Sequence, residues 1–144
     1  MQPIIAGGVY VVSQDPNGAG TRRLVMVHRA ASDSIVEVCL AHSTFELATD
    51  QDLVLAPRES GLRFPLVLAT DLVAPLFVSQ LLTHLTSLPT HYADACRDAT
   101  LRYDLRRGMP IQARRDARYT FKLAELDVLH SFSSRCVYHL LDGE

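Results

Sequence analysis

The sequence predicts a mainly β protein with added α-structure, a small antiparallel β-barrel followed by a helical C-terminal segment. Between residues 4 and 78, short runs of β-branched and aromatic residues alternate with turn residues, and no helical pattern interrupts them. From Ser79 onward the apolar residues recur at helical spacing. We therefore expect a barrel over residues 1–89 and a helical extension over residues 90–144, packed on the barrel or on a partner.

Each barrel strand is predicted from an apolar run and the turn beside it. The first run, residues 4–12, contains the pair Gly7-Gly8 and therefore predicts a strand with a bulge or bend. The next two runs, residues 22–30 and 34–42, are separated by a short polar turn and predict a hairpin. The second hairpin strand is apolar on both faces, which is typical of a central or covered strand. Further strands are predicted at residues 52–57, 64–70 and 73–78, with Gly61 in the turn between the first two.

Three helices are predicted in the second half of the chain, at residues 79–88, 91–107 and 116–141. The first follows from the leucines of QLLTHLTSL, and the second from a possible N-cap at Thr90 and a C′ glycine at Gly108. The third has an apolar arc wider than one core contact requires. Its members are Phe121, Val128, Leu129 and Phe132 on one side, with Leu123, Leu126 and Val137 extending the arc. This excess predicts a homodimer.

The composition is that of an ordinary globular chain. The 144 residues are 48% hydrophobic and 21% charged with a net charge of −2, which argues against wholesale disorder and against whole-molecule nucleic-acid binding by charge. Cys39, Cys96 and Cys136 lack metal or disulfide spacing and are expected to be buried thiols. Residues 97–122 hold eight basic and three acidic residues. That stretch is either a solvated surface or a contact for nucleic acid or an acidic partner.

The N-terminal residues and the lengths of the apolar runs predict the cellular location of the protein. The opening residues MQPIIAGG carry neither a basic segment nor a long apolar segment of the kind found in signal peptides. No apolar run approaches the roughly 20 residues that span a bilayer. We therefore expect a cytoplasmic protein that makes no membrane contact.

Three stretches of residues 4–89 resemble the motifs of a known family. These are GGVYVV at residues 7–12, AGTRRLVMV at residues 19–27, and LVLAPRESGLRFPLVLATDLVAPLFVSQLLTHLTSLP at residues 53–89. In that order they are similar to the opening strand, the G-x-R-P-x-V-V motif and the closing strand pattern of the MazF/PemK toxin family. The resemblance implies an SH3-like barrel that dimerises and cleaves single-stranded RNA without a metal or other cofactor. It also implies an antitoxin-like protein partner.

The same resemblance selects candidate site residues. Arg22 falls where the family carries its catalytic arginine, and the segment after VEVCLA falls where the family carries a Thr/Ser-bearing segment. The candidates for catalysis are Arg22, Thr44 and His42, and those for RNA binding are Arg23, His28 and Ser43. Attack by a 2′-hydroxyl needs charge stabilisation at phosphorus and proton transfer, which an arginine, a hydroxyl and a histidine can supply.

Structural roles for these residues and a second function stay open as alternative interpretations. Arg22 also suits an exposed strand start, Ser43 and Thr44 also suit a capped turn, and either histidine suits a half-buried structural position. Neighbouring strand side chains point to opposite sides, so only one of Arg22 and Arg23 can face a groove. The alternative function is a non-catalytic SH3-like barrel that binds a protein partner through its helical tail, as a phage or mobile-element regulator would.

Overall fold

The computed structural model describes residues 4–13, 21–49, 52–102 and 117–141, with side chains described up to residue 98 in the third range and residue 133 in the fourth. The strands are β1 (Gly8–Ser13), β2 (Arg22–Ala30), β3 (Ile35–His42), β4 (Leu53–Leu55), β5 (Leu66–Phe77) and β6 (Leu81–Ser87). The helices are the single turn α1 (Pro57–Ser60), then α2 (Thr90–Arg102) and α3 (Ala117–Leu141). Single 3-10 turns at Phe45–Leu47 and Val78–Gln80 join strands.

The six strands form one antiparallel sheet in the order β4-β5-β3-β2-β1-β6. The predicted hairpin is confirmed as β2 and β3, and β3 lies at the centre of the sheet. The two ends of the sheet approach each other, because Thr86 Oγ1 on β6 donates to the Ser60 carbonyl oxygen just after β4, at 2.9 Å. The result is the small barrel-like fold of mixed β and α structure that the sequence predicts.

A helix covers each face of the sheet. On one face, Leu126, Leu129 and Phe132 of α3 pack into a core cluster with valines and leucines of β2, β3 and β5. On the other face, Ala93 and Cys96 of α2 pack against residues such as Met26, Cys39 and Leu68. Because both faces are covered, the inner strands are apolar on both sides, as the alternation in β3 predicts.

Glycine determines where β1 begins and how α1 ends. The predicted strand over residues 4–12 starts only at Gly8, because Gly7 bends the chain with φ of 97° and donates from its amide to the Val27 carbonyl. The predicted strand over residues 52–57 is also shorter. Pro57 begins α1 instead, and Gly61, with φ of 78°, ends it.

The predicted strands at residues 64–70 and 73–78 are one continuous strand, β5, of 12 residues. Thr70, Asp71 and Leu72 lie between its two paired sections, where the pairing with β3 shifts register opposite Cys39 and Leu40. Asp71 and Leu72, which separate the two predicted strands, lie with Thr70 at this irregularity inside one strand.

The helix predicted at residues 79–88 is wrong. Residues Val78–Gln80 form a 3-10 turn and Leu81–Ser87 form β6, which pairs with β1 at the edge of the sheet. The leucine spacing fits a helix, but these leucines do not form a buried apolar face. Leu82 and Leu85 of β6 are each 37% exposed. Pairing with β1 instead satisfies the backbone groups of both strands, and the β-branched Thr83 and Thr86 favour it.

The other two helices are confirmed within a residue at the described ends. Helix α2 begins at Thr90 and is described to Arg102, while the predicted end near residue 107 and the cap at Gly108 lie outside the described residues. Helix α3 matches the predicted span of residues 116–141. Cys39 and Cys96 are buried thiols, as expected, and the Cys136 side chain lies outside the described residues. Over the described ranges, no helix is both long and apolar enough to traverse a bilayer.

Candidate functional site

A cleft opens at one end of the β2–β3 hairpin. In the antiparallel pairing of these strands Leu24 lies opposite Ala41, so the start of β2 and the end of β3 meet at the same edge. The cleft has a volume of about 250 Å³ and is lined by Val11, Arg22, Arg23, Leu24, Ala41, His42, Ser43 and Thr44. Five of the six candidate residues named from the sequence therefore share one site.

The two arginines at the start of β2 have different surroundings. Arg22 is exposed at the cleft. Arg23 points to the face that α3 covers, where its Nε and Nη2 donate to the two carboxylate oxygens of Glu125 at 2.6 and 3.1 Å. Its Nη1 donates to the Arg22 carbonyl oxygen at 2.8 Å. Both arginines line the cleft, but Arg22 is exposed there whereas Arg23 is paired with Glu125 of α3.

His42 connects the cleft to α3. Its Nδ1 accepts a hydrogen bond from the Thr44 amide at 3.1 Å, which fixes the first residues after β3. Its ring lies edge to face against Phe121 of α3, with 4.9 Å between ring centroids. Burial lowers the pKa of His42 below its ordinary value, against the opposing effect of the Asp52 and Glu125 carboxylates. A neutral ring that accepts at Nδ1 carries its proton on Nε2.

His28 is not part of the cleft. It lies six residues beyond Arg22 on β2, roughly 20 Å along the strand, and its side chain is only 3% exposed. Its Nε2 lies 3.5 Å from Glu37 Oε2, and burial lowers its pKa more strongly than Glu37 raises it. The RNA-binding role expected for His28 has no geometric support at this position.

The sequence did not indicate the residues that hold α3 over the sheet. Lys122 is buried, with its Nζ donating to Asp71 Oδ1 at 2.6 Å and lying 2.7 Å from Asp52 Oδ1. Asp52 in turn accepts from the Thr49 amide at 2.8 Å, so the same group fixes the segment between β3 and β4. Burial raises the pKa of Asp71, with the Lys122 ammonium opposing the shift. The signal available in the sequence was that Lys122 is the only lysine.

The electrostatics of the cleft favour an anionic ligand. None of its eight lining residues, all within the described ranges, is acidic. Two are arginines, of which Arg23 is paired with Glu125 of α3. The hydroxyls of Ser43 and Thr44 add neutral donors of the kind that bind phosphate oxygens. In the part of the chain that the structure describes, no cluster of three or more His, Cys, Asp or Glu side chains could hold a metal ion. Most of the basic stretch at residues 97–122 lies outside the described residues.

Comparison with known proteins finds similar chains among solved structures. No protein-family model matches the sequence, and a search of curated proteins finds no match. The Mycobacterium tuberculosis toxin MazF-mt6 is similar in structure, with a TM-score of 0.46 and 15% sequence identity. The alignment covers 64% of this chain and 90% of that chain. Any functional assignment for this chain therefore depends on the residues of its own cleft.

Proposed function

We propose that this protein is a MazF/PemK-like toxin, a cytoplasmic, metal-independent endoribonuclease that acts on single-stranded RNA. The observation that supports it best is the cleft itself. Arg22 and the segment His42-Ser43-Thr44 are about 20 residues apart in the sequence. Arg22 lies in the resembling stretch AGTRRLVMV, and residues 42–44 fall where the family carries its Thr/Ser-bearing segment. They line one exposed cleft with no acidic residue among the lining.

In the proposed reaction the 2′-oxygen of a nucleotide attacks the adjacent phosphorus and the bond to the 5′-oxygen breaks. The products are a 2′,3′-cyclic phosphate and a 5′-hydroxyl. The proton that leaves the 2′-hydroxyl and the proton that the 5′-oxygen gains exchange with solvent, so none is consumed overall. Arg22 forks onto the phosphorane oxygens, where negative charge accumulates, and the Thr44 hydroxyl donates to the same group.

The proposal gives His42 the role of a donor. The sequence suggested proton transfer by this residue, but its Nδ1 already accepts from the Thr44 amide. The neutral ring therefore has only its Nε2–H to offer, which suits a hydrogen bond to a phosphate oxygen. In the same position His42 orients Thr44, because loss of the Nδ1 contact would release the amide that follows β3.

The alternative, a non-catalytic barrel that binds a protein partner, is favoured by one observation. Helix α3 lies over the sheet face beside the cleft and already pairs its Glu125 with Arg23. A cleft that binds a carboxylate from a helix of its own chain has the chemistry to bind an acidic, antitoxin-like partner as well. The two functions predict different results in the same assay.

The deciding experiment is cleavage of a mixed single-stranded RNA in EDTA, with the fragment ends sequenced. We expect wild type to leave cyclic phosphate ends and Arg22→Ala to be slower by a hundredfold or more. Losing a charge-assisted contact to the phosphorane costs on the order of 3 kcal/mol. The melting temperature should barely change, because an exposed arginine contributes little stability.

Arg58→Ala is the matched control, since Arg58 is an exposed arginine on α1 that does not line the cleft. It should cleave like wild type. Thr44→Ala should lose less activity than Arg22→Ala, because a neutral hydroxyl makes the weaker contact. Equal rates for wild type and Arg22→Ala would remove the catalytic assignment, and no cleavage by wild type on any RNA would favour the binding module.

A further inference from the structure

Arg23 has the chemistry of a phosphate ligand, but three of its five N–H groups already donate within the chain. Both oxygens of the Glu125 carboxylate accept from its guanidinium, at 2.6 and 3.1 Å, and the third donor group goes to a backbone carbonyl. Arg23 nevertheless lines the cleft beside Arg22. The carboxylate thus occupies the guanidinium edge onto which the two oxygens of a phosphodiester would fork.

The position of Glu125 is set by neighbours on the same stretch of α3. Lys122, one helical turn earlier, is buried between Asp52 and Asp71. Phe121 packs against His42 at the cleft. Residues three and four apart share a helix face, so the lysine and the phenylalanine bring Glu125 to the same side of the sheet. The side chain of Glu125 is only 12% exposed, which protects the pair from solvent screening.

We propose that α3 is autoinhibitory and that Glu125 is an internal competitor of RNA phosphate at Arg23. This inference rests on the proposed function for its ligand, single-stranded RNA. With α3 docked, RNA meets Arg22 alone of the two cleft arginines. When the pair to Glu125 is broken, Arg23 becomes a second phosphate contact next to the first.

The test is binding of a single-stranded, fully 2′-O-methylated RNA, which lacks the 2′-hydroxyl and cannot be cut, measured by fluorescence anisotropy over a range of salt concentrations. Glu125→Gln keeps the shape of the side chain and removes its charge. We expect this variant to bind roughly tenfold more tightly, as one more charge-assisted contact gives. The plot of log affinity against log salt should steepen by about 0.7, the value for one added contact to a single strand.

Strand β2 supplies a matched control at its other end. Arg29 forks onto Glu37 in the same way, at 2.8 and 2.5 Å, and neither residue lines the cleft. Glu37→Gln therefore makes the same change in net charge and releases an arginine of the same strand. We expect little change in affinity and no change in salt slope. Equal gains from Glu37→Gln and Glu125→Gln would reduce the effect to net charge and overturn the proposal.

Arg23 variants make the test independent of how well Glu125→Gln folds. Arg23→Ala alone would leave the Glu125 carboxylate unpaired beside the cleft, so the informative variant removes both charges of the pair. Arg23→Ala combined with Glu125→Gln should lose the whole gain. A gain that survives in the double variant would contradict the proposal.

The outcomes also separate this inference from the ribonuclease proposal. If wild type cuts no RNA while Glu125→Gln binds the methylated strand more tightly through Arg23, the autoinhibition proposal is supported and the ribonuclease proposal is contradicted. If wild type cuts RNA and Glu125→Gln binds the methylated strand no better than wild type does, the ribonuclease proposal is supported and the autoinhibition proposal is contradicted. If no variant binds RNA, both proposals are wrong.

Discussion

Lys122 shows how one residue can couple a helix to a sheet. It is the only lysine in the sequence, and it lies almost wholly buried with its ammonium between two buried carboxylates. A buried charge is tolerated only when it is paired and hydrogen-bonded. Here the partners are Asp52, just before β4, and Asp71, in the middle of β5, so one ammonium group joins α3 to both strand segments.

We therefore expect Lys122→Met to destabilise the fold by about 3 to 5 kcal/mol, because two carboxylates would remain buried without a cation. Denaturant unfolding measures the loss. The triple variant Lys122→Met, Asp52→Asn, Asp71→Asn should recover much of it, since no uncompensated charge remains. A Lys122→Met protein as stable as wild type would show that α3 does not depend on this ion pair.

At the scale of elements, helical spacing of apolar residues predicts the secondary structure of α3 correctly and that of β6 wrongly. In α3 the buried positions Lys122, Leu126, Leu129 and Ser133 recur every three or four residues along one face, which the sheet then covers. In β6 the leucines recur at similar spacing, yet the segment pairs as an edge strand. The difference is in what lies opposite: α3 meets an open apolar sheet face, whereas β6 meets the unpaired backbone of β1.

The packing of α3 predicts unequal costs for two leucines on the same helix. Leu129 is fully buried in the sheet-facing core, and Leu123 is 36% exposed. Leu129→Ala should cost about 2 to 5 kcal/mol through lost burial and a cavity. Leu123→Ala should cost within about 0.5 kcal/mol as a surface change. Both substitutions change helix propensity alike, so the difference in unfolding free energy isolates the packing. Equal costs would mean that α3 is not docked through Leu129.

For the molecule as a whole, α3 contributes both to the stability of the fold and to the pairing of Arg23 at the cleft. Within Phe121 to Leu129 it packs on the His42 ring, buries its lysine, pairs with Arg23 and fills the core. Displacing the helix would therefore expose apolar surface and free Arg23 at the same time. A partner that covers that surface is the physical requirement for opening the cleft without unfolding the chain.

A second copy of the chain is one such partner, and the homodimer remains a prediction. The wide apolar arc on α3 is partly used by the sheet, but large apolar side chains stay exposed on α3 and β6, among them Leu123, Leu82 and Leu85. We expect light scattering at high micromolar concentration to give the mass of a dimer. Leu123→Asp should shift the equilibrium toward the monomer, because a charge in an apolar interface is costly. A strict monomer for wild type at that concentration would refute the prediction.

Local patterns in the sequence were enough for much of this fold. The β2–β3 hairpin, the glycine that ends the turn at Gly61, the span of α3 and the change to helical structure in the C-terminal part all depend on neighbours within a few residues. The family resemblance selected Arg22 and the segment after β3 together, and the antiparallel β2–β3 hairpin brings both to the same edge of the sheet.

Only the tertiary structure decided what lies against those elements. The strand identity of β6 depended on β1, which is about 70 residues away, and local leucine spacing gave the wrong answer. The partners of Lys122 and of Arg23 are separated from them by 51 to 102 residues, so no sequence window contains both charges. The sequence by itself determined which side chains can bind phosphate. The docking of α3 decided which of them is exposed, because burial and pairing are properties of distant segments brought into contact.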